Sequence, residues 1–252
     1  MKRRFVFLVL IMGLLLYVSP LSGATHQGVY WGYEGEAGPA HWGDLSPEFR
    51  SCKEGKSQSP VDIRNTVKEK LPSIEFHYSN SILNIINNGH TIKVNYSKGS
   101  YIIVNGKKYN LLQFHFHRPS ENTVKGKHFD MEAHLVHRSD DGELAVVAVF
   151  MKEGKENAFI KRVWEHLPEK MGHEEKFNDV VVNVSDFLPE SRAYYAFEGS
   201  LTTPPCTEGV KWFVLKSPVE VSANQIKRFE SFYRMNARPT QPLNGRIIKE
   251  GY

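Results

Sequence analysis

Three histidines in two short segments have the residue types and spacing to bind a single metal ion. The first segment, Leu111-Leu112-Gln113-Phe114-His115-Phe116-His117, alternates with period two. Read as a strand, it places Leu112, Phe114 and Phe116 on one face and Gln113, His115 and His117 on the other. The second segment, Met131-Glu132-Ala133-His134-Leu135-Val136-His137, alternates too, with Glu132, His134 and Val136 sharing a face that His137 does not. If the strands pair as neighbours, His134 completes a set of three imidazoles. Three neutral imidazoles suit Zn²⁺ and leave a fourth position open for water. Imidazole sites also take other transition metals. A ligating histidine needs an acceptor for its second ring nitrogen. Gln113 and Glu132 each stand two residues before a candidate ligand on the same strand face, where such acceptors would sit. The other histidines (His26, His41, His77, His128, His137, His166 and His173) read as surface or hydrogen-bonded structural groups.

Strands must carry these segments, and the flanking sequence is rich in strand signals. Short apolar runs recur at Ser81–Ile86, Thr91–Tyr96, Tyr101–Val104 and Tyr109–Phe116. Asn105-Gly106 between two of them is a hairpin signal. Asp140-Asp141-Gly142 separates Met131–Arg138 from Glu143–Met151 in the same way, and later strands are expected at Ala193–Gly199 and Val210–Leu215. Helical spacing appears over Glu156–Leu167, and over Ser222–Met235, which opens on the capping-box pattern Ser222-x-x-Gln225. Gly35–Gln58, rich in Gly, Pro and Ser, is expected to be irregular. The pattern predicts one β-rich domain with a mainly antiparallel sheet and peripheral helices.

The chain has 252 residues, 24% charged and 40% hydrophobic, as a globular protein does. Its formal net charge is +4, and three of the positives are Lys2, Arg3 and Arg4. These precede an apolar run, Phe5–Val18, and the small residues Ser22 and Ala24. That pattern predicts a secretory leader over 1–24, cleaved after Ala24, ahead of a mature domain over 25–252. Loss of the leader brings the net charge to +1. A nearly neutral chain gives no electrostatic reason to expect nucleic acid or an acidic membrane as partner. Export makes the two cysteines, Cys52 and Cys206, a disulfide candidate. Their spacing alone leaves two separate thiols open. A bridge over so long a loop carries about 5 kcal/mol in the chain-entropy model.

The spacing His115-x-His117-x3-Glu121 also matches the ligand pattern of cupin enzymes. However, Tyr109 stands where the cupin glycine is expected, and no P-x-G precedes His134. A different resemblance covers nearly all of the mature sequence. Trp31-Gly32-Tyr33, Gly38-Pro39-Ala40-His41-Trp42, Gln58-Ser59-Pro60-Val61-Asp62-Ile63 and Asn87-Asn88-Gly89-His90 come in that order. They are followed by the two histidine segments, Pro119-Ser120-Glu121, Gly199-Ser200-Leu201-Thr202-Thr203-Pro204-Pro205, Asn236-Ala237-Arg238-Pro239 and Gln241-Pro242-Leu243. The chain resembles the α-class carbonic anhydrases, and its leader and cysteine pair resemble their exported bacterial branch.

The resemblance implies a single-domain, mainly β fold: a twisted, mostly antiparallel sheet of about ten strands with short peripheral helices. It implies reversible hydration of CO₂ to bicarbonate and a proton by zinc-bound hydroxide, with weak esterase activity beside it. His115, His117 and His134 match the zinc ligands, and Gln113, Glu132 and Asn236 the groups that hold them. Thr202 and Glu121 match the pair that orients the hydroxide. Val136, Val146, Leu201 and Trp212 match the apolar CO₂ pocket, Thr203 a bicarbonate contact, His90 the proton shuttle, and Tyr33 and Asn88 the groups that order water. It implies a disulfide between Cys52 and Cys206, a periplasmic or secreted location, no membrane partner after leader cleavage, and the homodimer common in the exported branch. Binding proteins of this fold that lack catalysis lose one or more zinc histidines, and here all three remain. Two residues depart from the family pattern. Asn122 follows Glu121 where many members have histidine. Lys93 occupies a cavity position more often neutral, and a cation there is expected to lower the proton affinity of His90.

Overall fold

The computed structural model describes residues 29–251. The expected leader and His26 lie outside the described residues. The Gly/Pro/Ser-rich segment is less irregular than expected, because it winds into two one-turn helices, α1 (Trp42–Leu45) and α2 (Ser51–Glu54). They are held by fully buried Trp42, whose indole N–H donates to the carbonyls of Gly32 and Ala37 at 2.8 and 3.0 Å.

Among the described residues fourteen strands follow. The first seven are β1 (Asp62–Ile63), β2 (Val67–Glu69), β3 (Glu75–His77), β4 (Ser81–Asn87), β5 (Ile92–Asn95), β6 (Tyr101–Val104) and β7 (Lys107–His117). The rest are β8 (Thr123–Val124), β9 (Met131–Arg138), β10 (Leu144–Glu153), β11 (Glu174–Val182), β12 (Tyr194–Ser200), β13 (Glu208–Val221) and β14 (Lys249–Gly251). Twelve of them form one sheet whose main path runs β11-β4-β5-β7-β9-β10-β13-β12-β14-β2, with β3 and β6 joined to it through β7. Pairing is mostly antiparallel, as expected; β10–β13 and β14–β2 are parallel, as is the separate pair β1–β8. The Asn105-Gly106 turn has φ of 53° and 74°, the left-handed pair that a tight hairpin demands.

One expected face is wrong by a single residue. Leu112 does not share the buried face of Phe114 and Phe116: it is 38% exposed. The register between β7 and β9 slips between Leu111 and Gln113. This bulge adds a residue to β7, so Tyr109 and Leu111 bury on the Phe114 side and Leu112 turns outward. Strand β13 runs past the expected Leu215. Its register against β10 shifts where Lys216–Pro218 intervene, and proline, with no N–H for the ladder, sits at that irregularity. Strand β11, absent from the sequence reading, is a charged edge, Glu174-Glu175-Lys176, of the kind that blunts strand-to-strand association.

The helices are shorter than their periodic patterns. Helix α3 spans Ala158–Trp164 and α4 spans Ala223–Glu230. The predicted capping box on α4 is present: the Ser222 hydroxyl accepts from Gln225 N, and the Gln225 carboxamide accepts from Ser222 N at 3.0 Å. Gln225 also donates to Asn157 O at 2.8 Å, tying α4 to the start of α3. Ser222→Ala is expected to cost about 1 kcal/mol, read as a lower urea midpoint with unchanged slope. An unchanged midpoint would show that the cap is redundant.

The sheet separates two apolar clusters. On one face, Phe114, Phe116, Leu135, Val147, Val149 and Phe213 join the main core under α3 and α4. On the other, Val136, Val146, Phe150, Trp212 and Phe197 form a smaller cluster beside the histidines.

Candidate metal centre and active site

The sheet register lays the site out in rows. Lys93, His115, His134 and Ala148 are successive cross-strand partners on β5, β7, β9 and β10. One row along, Gln113, Val136, Val146, Trp212 and Phe197 are partners in turn. On the other side, His117 pairs with Glu132 and Glu132 with Phe150. Directly opposed residues project to the same face. One patch of lattice therefore carries three imidazoles flanked by an apolar wall.

The three histidines converge as their alternation predicts, with one ring nitrogen from each within 4.8 Å of the others. Two of the second nitrogens have an acceptor at hydrogen-bond geometry, and that of His134 stands beside a carboxylate without one. His115 Nδ1 meets Gln113 Oε1 at 2.9 Å, His117 Nδ1 meets the Asn236 carbonyl at 2.8 Å, and His134 Nε2 lies 3.3 Å from Glu132 Oε1. This leaves Nε2 of His115, Nε2 of His117 and Nδ1 of His134 facing one another. His117 Nε2 is buried without any hydrogen-bond partner. Burial pushes the proton affinity of His117 down to about 4, with weaker upward pulls from the Asn236 carbonyl and Glu132. His115 and His134 fall well below the ordinary histidine range through burial first and repulsion between the rings second. Neutral imidazoles around an orphaned buried nitrogen are a donor set that fits a transition-metal ion.

Behind the ligands the polar groups are layered. Glu132 is fully buried; its carboxylate accepts from Asn122 N at 2.8 Å and from the Asn122 amide at 2.7 Å. Asn122 Oδ1 in turn accepts from Val61 N at 3.0 Å. The residue that departs from the family pattern thus clamps Glu132, which faces His134. Burial pushes Glu132 up to about 7, opposed by both Asn122 hydrogen bonds.

Glu121 lies in the loop after β7, also fully buried, with Oε1 accepting from Arg238 N at 2.8 Å. Burial pushes it up to about 8, opposed by that N–H and by the Thr202 hydroxyl. The contact with Thr202 is loose: Glu121 Oε2 has no partner at ordinary hydrogen-bond geometry. Thr202 itself is buried in the loop between β12 and β13, anchored where Ser200 and Ser59 exchange hydrogen bonds of 2.9 and 3.2 Å. Only glycine fits at 199, because a Cβ there would collide with Ser59 Oγ and the Trp212 ring.

Val136, Val146, Trp212 and partly buried Leu201 do fall in one cluster. His90, Tyr33, Asn88 and Thr203 line a cavity of about 130 Å³ with Lys93, His115 and His117. Larger hollows elsewhere, of about 450 and 720 Å³, hold no histidine, so size does not locate the chemistry. Asn88 closes the turn that presents His90: its Oδ1 accepts from His90 N at 2.9 Å and Thr91 N at 2.8 Å. The proton affinity of His90 is lowered, and burial is the cause. Lys93 is not part of it, contrary to expectation; its charge acts on His115 instead.

Three residues do more than the sequence assigned to them. Trp31 stacks on His90 with ring centroids 3.7 Å apart and planes 6° apart. The Asn236 amide donates to the carbonyls of His90 and Phe116, both at 3.0 Å, while its own carbonyl holds His117. Arg238 is 1% exposed and its guanidinium donates to Gln58 Oε1, Ser59 O and Cys52 O at 2.7 to 2.9 Å. Asn236 and Arg238 stand together in Asn236-Ala237-Arg238-Pro239, a segment that only the family resemblance singled out, with a role for Asn236 and none for Arg238. Cys52 and Cys206 are bonded, across 154 residues of sequence.

The model of the eukaryotic-type carbonic anhydrase family matches residues 37–252. A carbonic anhydrase of Pectobacterium carotovorum is 45% identical over 238 residues, covering 94% of this chain and 97% of that protein. The solved α-carbonic anhydrase of Thermovibrio ammonificans, in complex with the inhibitor sulfanilamide, is 48% identical with a TM-score of 0.86, covering 88% of this chain and 99% of that one. Dioscorin complexed with ascorbate is similar at 31% identity and a TM-score of 0.82, over 88% of this chain and 99% of that one.

Proposed function

The chain belongs to the eukaryotic-type carbonic anhydrase family, and on that premise we propose that it catalyses CO₂ + H₂O ⇌ HCO₃⁻ + H⁺ with Zn²⁺ held by His115, His117 and His134. The observation that carries this reading is the convergence of three imidazole nitrogens, with the rings of His115 and His117 hydrogen-bonded from behind and that of His134 backed by Glu132 at 3.3 Å. When bound, zinc supplies a Lewis acid that lowers the pKa of water to about 7, a value for which carbonic anhydrase is itself the reference case.

The chain's own residues do the rest. Gln113 and the Asn236 carbonyl fix the rings of His115 and His117 and keep their facing nitrogens free of protons, and Glu132 backs the ring of His134. The Thr202 hydroxyl, turned toward the Glu121 carboxylate, gives its proton in that direction and offers its oxygen lone pairs to the cavity. The attacking oxygen is thereby oriented rather than left to tumble, and orientation is a large part of enzymatic rate. Val136, Val146, Leu201 and Trp212 supply a dry wall suited to a small, uncharged, apolar substrate. Thr203 receives the bicarbonate formed. His90 takes the released proton through water ordered by Tyr33 and Asn88, and passes it to buffer.

The Trp31 stack sets where His90 waits. In Trp31→Ala the imidazole becomes more exposed, so its proton affinity moves back up, because burial is what lowers it. Turnover at low buffer is expected to fall severalfold, with kcat/KM for CO₂ unchanged. Stopped-flow assays across a buffer series, with NMR titration of the His90 ring, would show this. Buffer dependence identical to wild type would remove Trp31 from proton transfer.

We further infer export. Lys2–Arg4, the apolar run after them and the Cys52–Cys206 bond support it. Among the described residues no helix is long and apolar enough to cross a membrane.

The function is tested by stopped-flow CO₂ hydration on the zinc-loaded chain. A rate far above buffer is expected. Stoichiometric zinc with no rate above buffer would overturn the enzymatic reading.

A further inference from the structure

One cation stands in the wall of the small cavity. Lys93 on β5 is the direct cross-strand partner of His115, so both side chains leave the sheet on the same face. It is half-buried and lines the cavity together with His90, Gln113, His117 and Thr203. Among the described residues Lys93 forms no ion pair. Among the described residues no aspartate or glutamate borders the cavity. The acid in the same sheet row, Glu174, lies two strands from Lys93 and accepts a hydrogen bond from Asn95 at 2.9 Å.

We propose that Lys93 makes this cavity a collecting site for small monoanions, with bicarbonate as the one present during turnover. The proposal rests on the zinc carbonic anhydrase reading. Three neutral imidazoles bring no negative charge to a bound dication, and Lys93 adds a positive charge to the wall, while the nearby carboxylates of Glu121 and Glu132 stay fully buried behind the ligands and do not line the cavity. A positive, narrow cavity with low-dielectric walls concentrates anions and leaves a neutral molecule unaffected. The Thr203 hydroxyl, on the same wall, can donate to an oxygen of the captured anion. CO₂ gains nothing from the field, so Lys93 distinguishes the charged member of the substrate pair from the uncharged one. The attraction of one partly screened charge a few ångströms away corresponds to about tenfold in anion affinity at low salt, fading at high salt as the Debye length shrinks.

The test is titration of the cobalt-loaded protein with thiocyanate and with bicarbonate, followed by visible absorption, for wild type, Lys93→Gln and Lys93→Arg at low and high ionic strength. Inhibition of the zinc enzyme by thiocyanate is measured alongside. Lys93→Gln is expected to bind both anions about tenfold more weakly at low salt, Lys93→Arg to match wild type, and the gap to close at high salt. Equal anion affinities for wild type and Lys93→Gln at low salt would overturn the proposal. So would a loss in Lys93→Arg as large as in Lys93→Gln, since that would make the effect one of shape rather than charge. The titration scores this proposal whether or not CO₂ is turned over, and stopped-flow hydration on the same preparations scores the function separately.

Discussion

Replacing His117 with alanine is expected to strip the protein of zinc and reduce CO₂ hydration to the buffer background. His117 is 1% exposed, its ring is pinned by the 2.8 Å contact to the Asn236 carbonyl, and its Nε2 has no other partner. Two imidazoles remain in the variant, one short of the set that catalytic zinc sites use. Removing only an outer partner of a zinc ligand costs about 10- to 100-fold in metal affinity or activity. Removing a ligand itself should exceed that, and the rate should follow the metal. The fold should survive. The lost imidazole leaves the Asn236 carbonyl unpaired, a cost of about 1–3 kcal/mol, but Asn236 keeps its amide bonds to His90 and Phe116. Zinc content by atomic emission, near-UV circular dichroism and stopped-flow rates on one preparation would decide it. A folded variant that retains stoichiometric zinc and wild-type turnover would show that the metal sits elsewhere.

The chemistry of this site was legible because strand alternation fixes faces without any knowledge of the fold. Period two separated His115 and His117 from Phe114 and Phe116, and the structure buries those phenylalanines in the main core. What alternation could not supply was register. That His134 stands opposite His115, and Glu132 opposite His117, depends on pairing across a turn, and the bulge at Leu112 breaks the same alternation five residues before His117. Long-range hydrogen bonds left still less trace. Asn122 looked like a departure, yet an amide can donate to Glu132 and accept from Val61 at once, so it fills the place with fewer atoms. The stack of Trp31 on His90 and the reach of Arg238 to Cys52 join residues far apart in sequence. Only the family resemblance pointed toward those segments, and it gave them no contacts. Lys93 shows the opposite case: the resemblance placed it in the cavity, and the sheet register sets it directly opposite His115 rather than His90.

The second large effect concerns stability. A Cys52→Ala/Cys206→Ala chain is expected to lose about 3–5 kcal/mol of folding free energy. The bond closes a loop of 154 residues, for which the chain-entropy model gives about 5 kcal/mol, while measured bridges more often give 2–4. On the native side both cysteines are buried with Trp42 in a small satellite cluster, so the substitution also removes two buried sulfurs from its packing. The loss is also local. Cys206 N donates to the Thr203 carbonyl at 2.8 Å, and the Cys52 carbonyl accepts from Arg238 at 2.9 Å. The bridge therefore ties the loop bearing Thr202 and Thr203 to the segment that supports Trp31 and Tyr33. Unfolding in urea should show a lower midpoint with a steeper slope, since an unbridged denatured chain exposes more surface. Turnover should fall in the variant even where it remains folded. An unchanged midpoint would mean that the satellite cluster and the Arg238 bonds hold this corner without the bond. A reduced chain made in the cytosol should behave as the variant does, and recover on oxidation. That recovery would tie full stability to an oxidising compartment, and so connect the proposed leader to the loop proposed to orient the substrate.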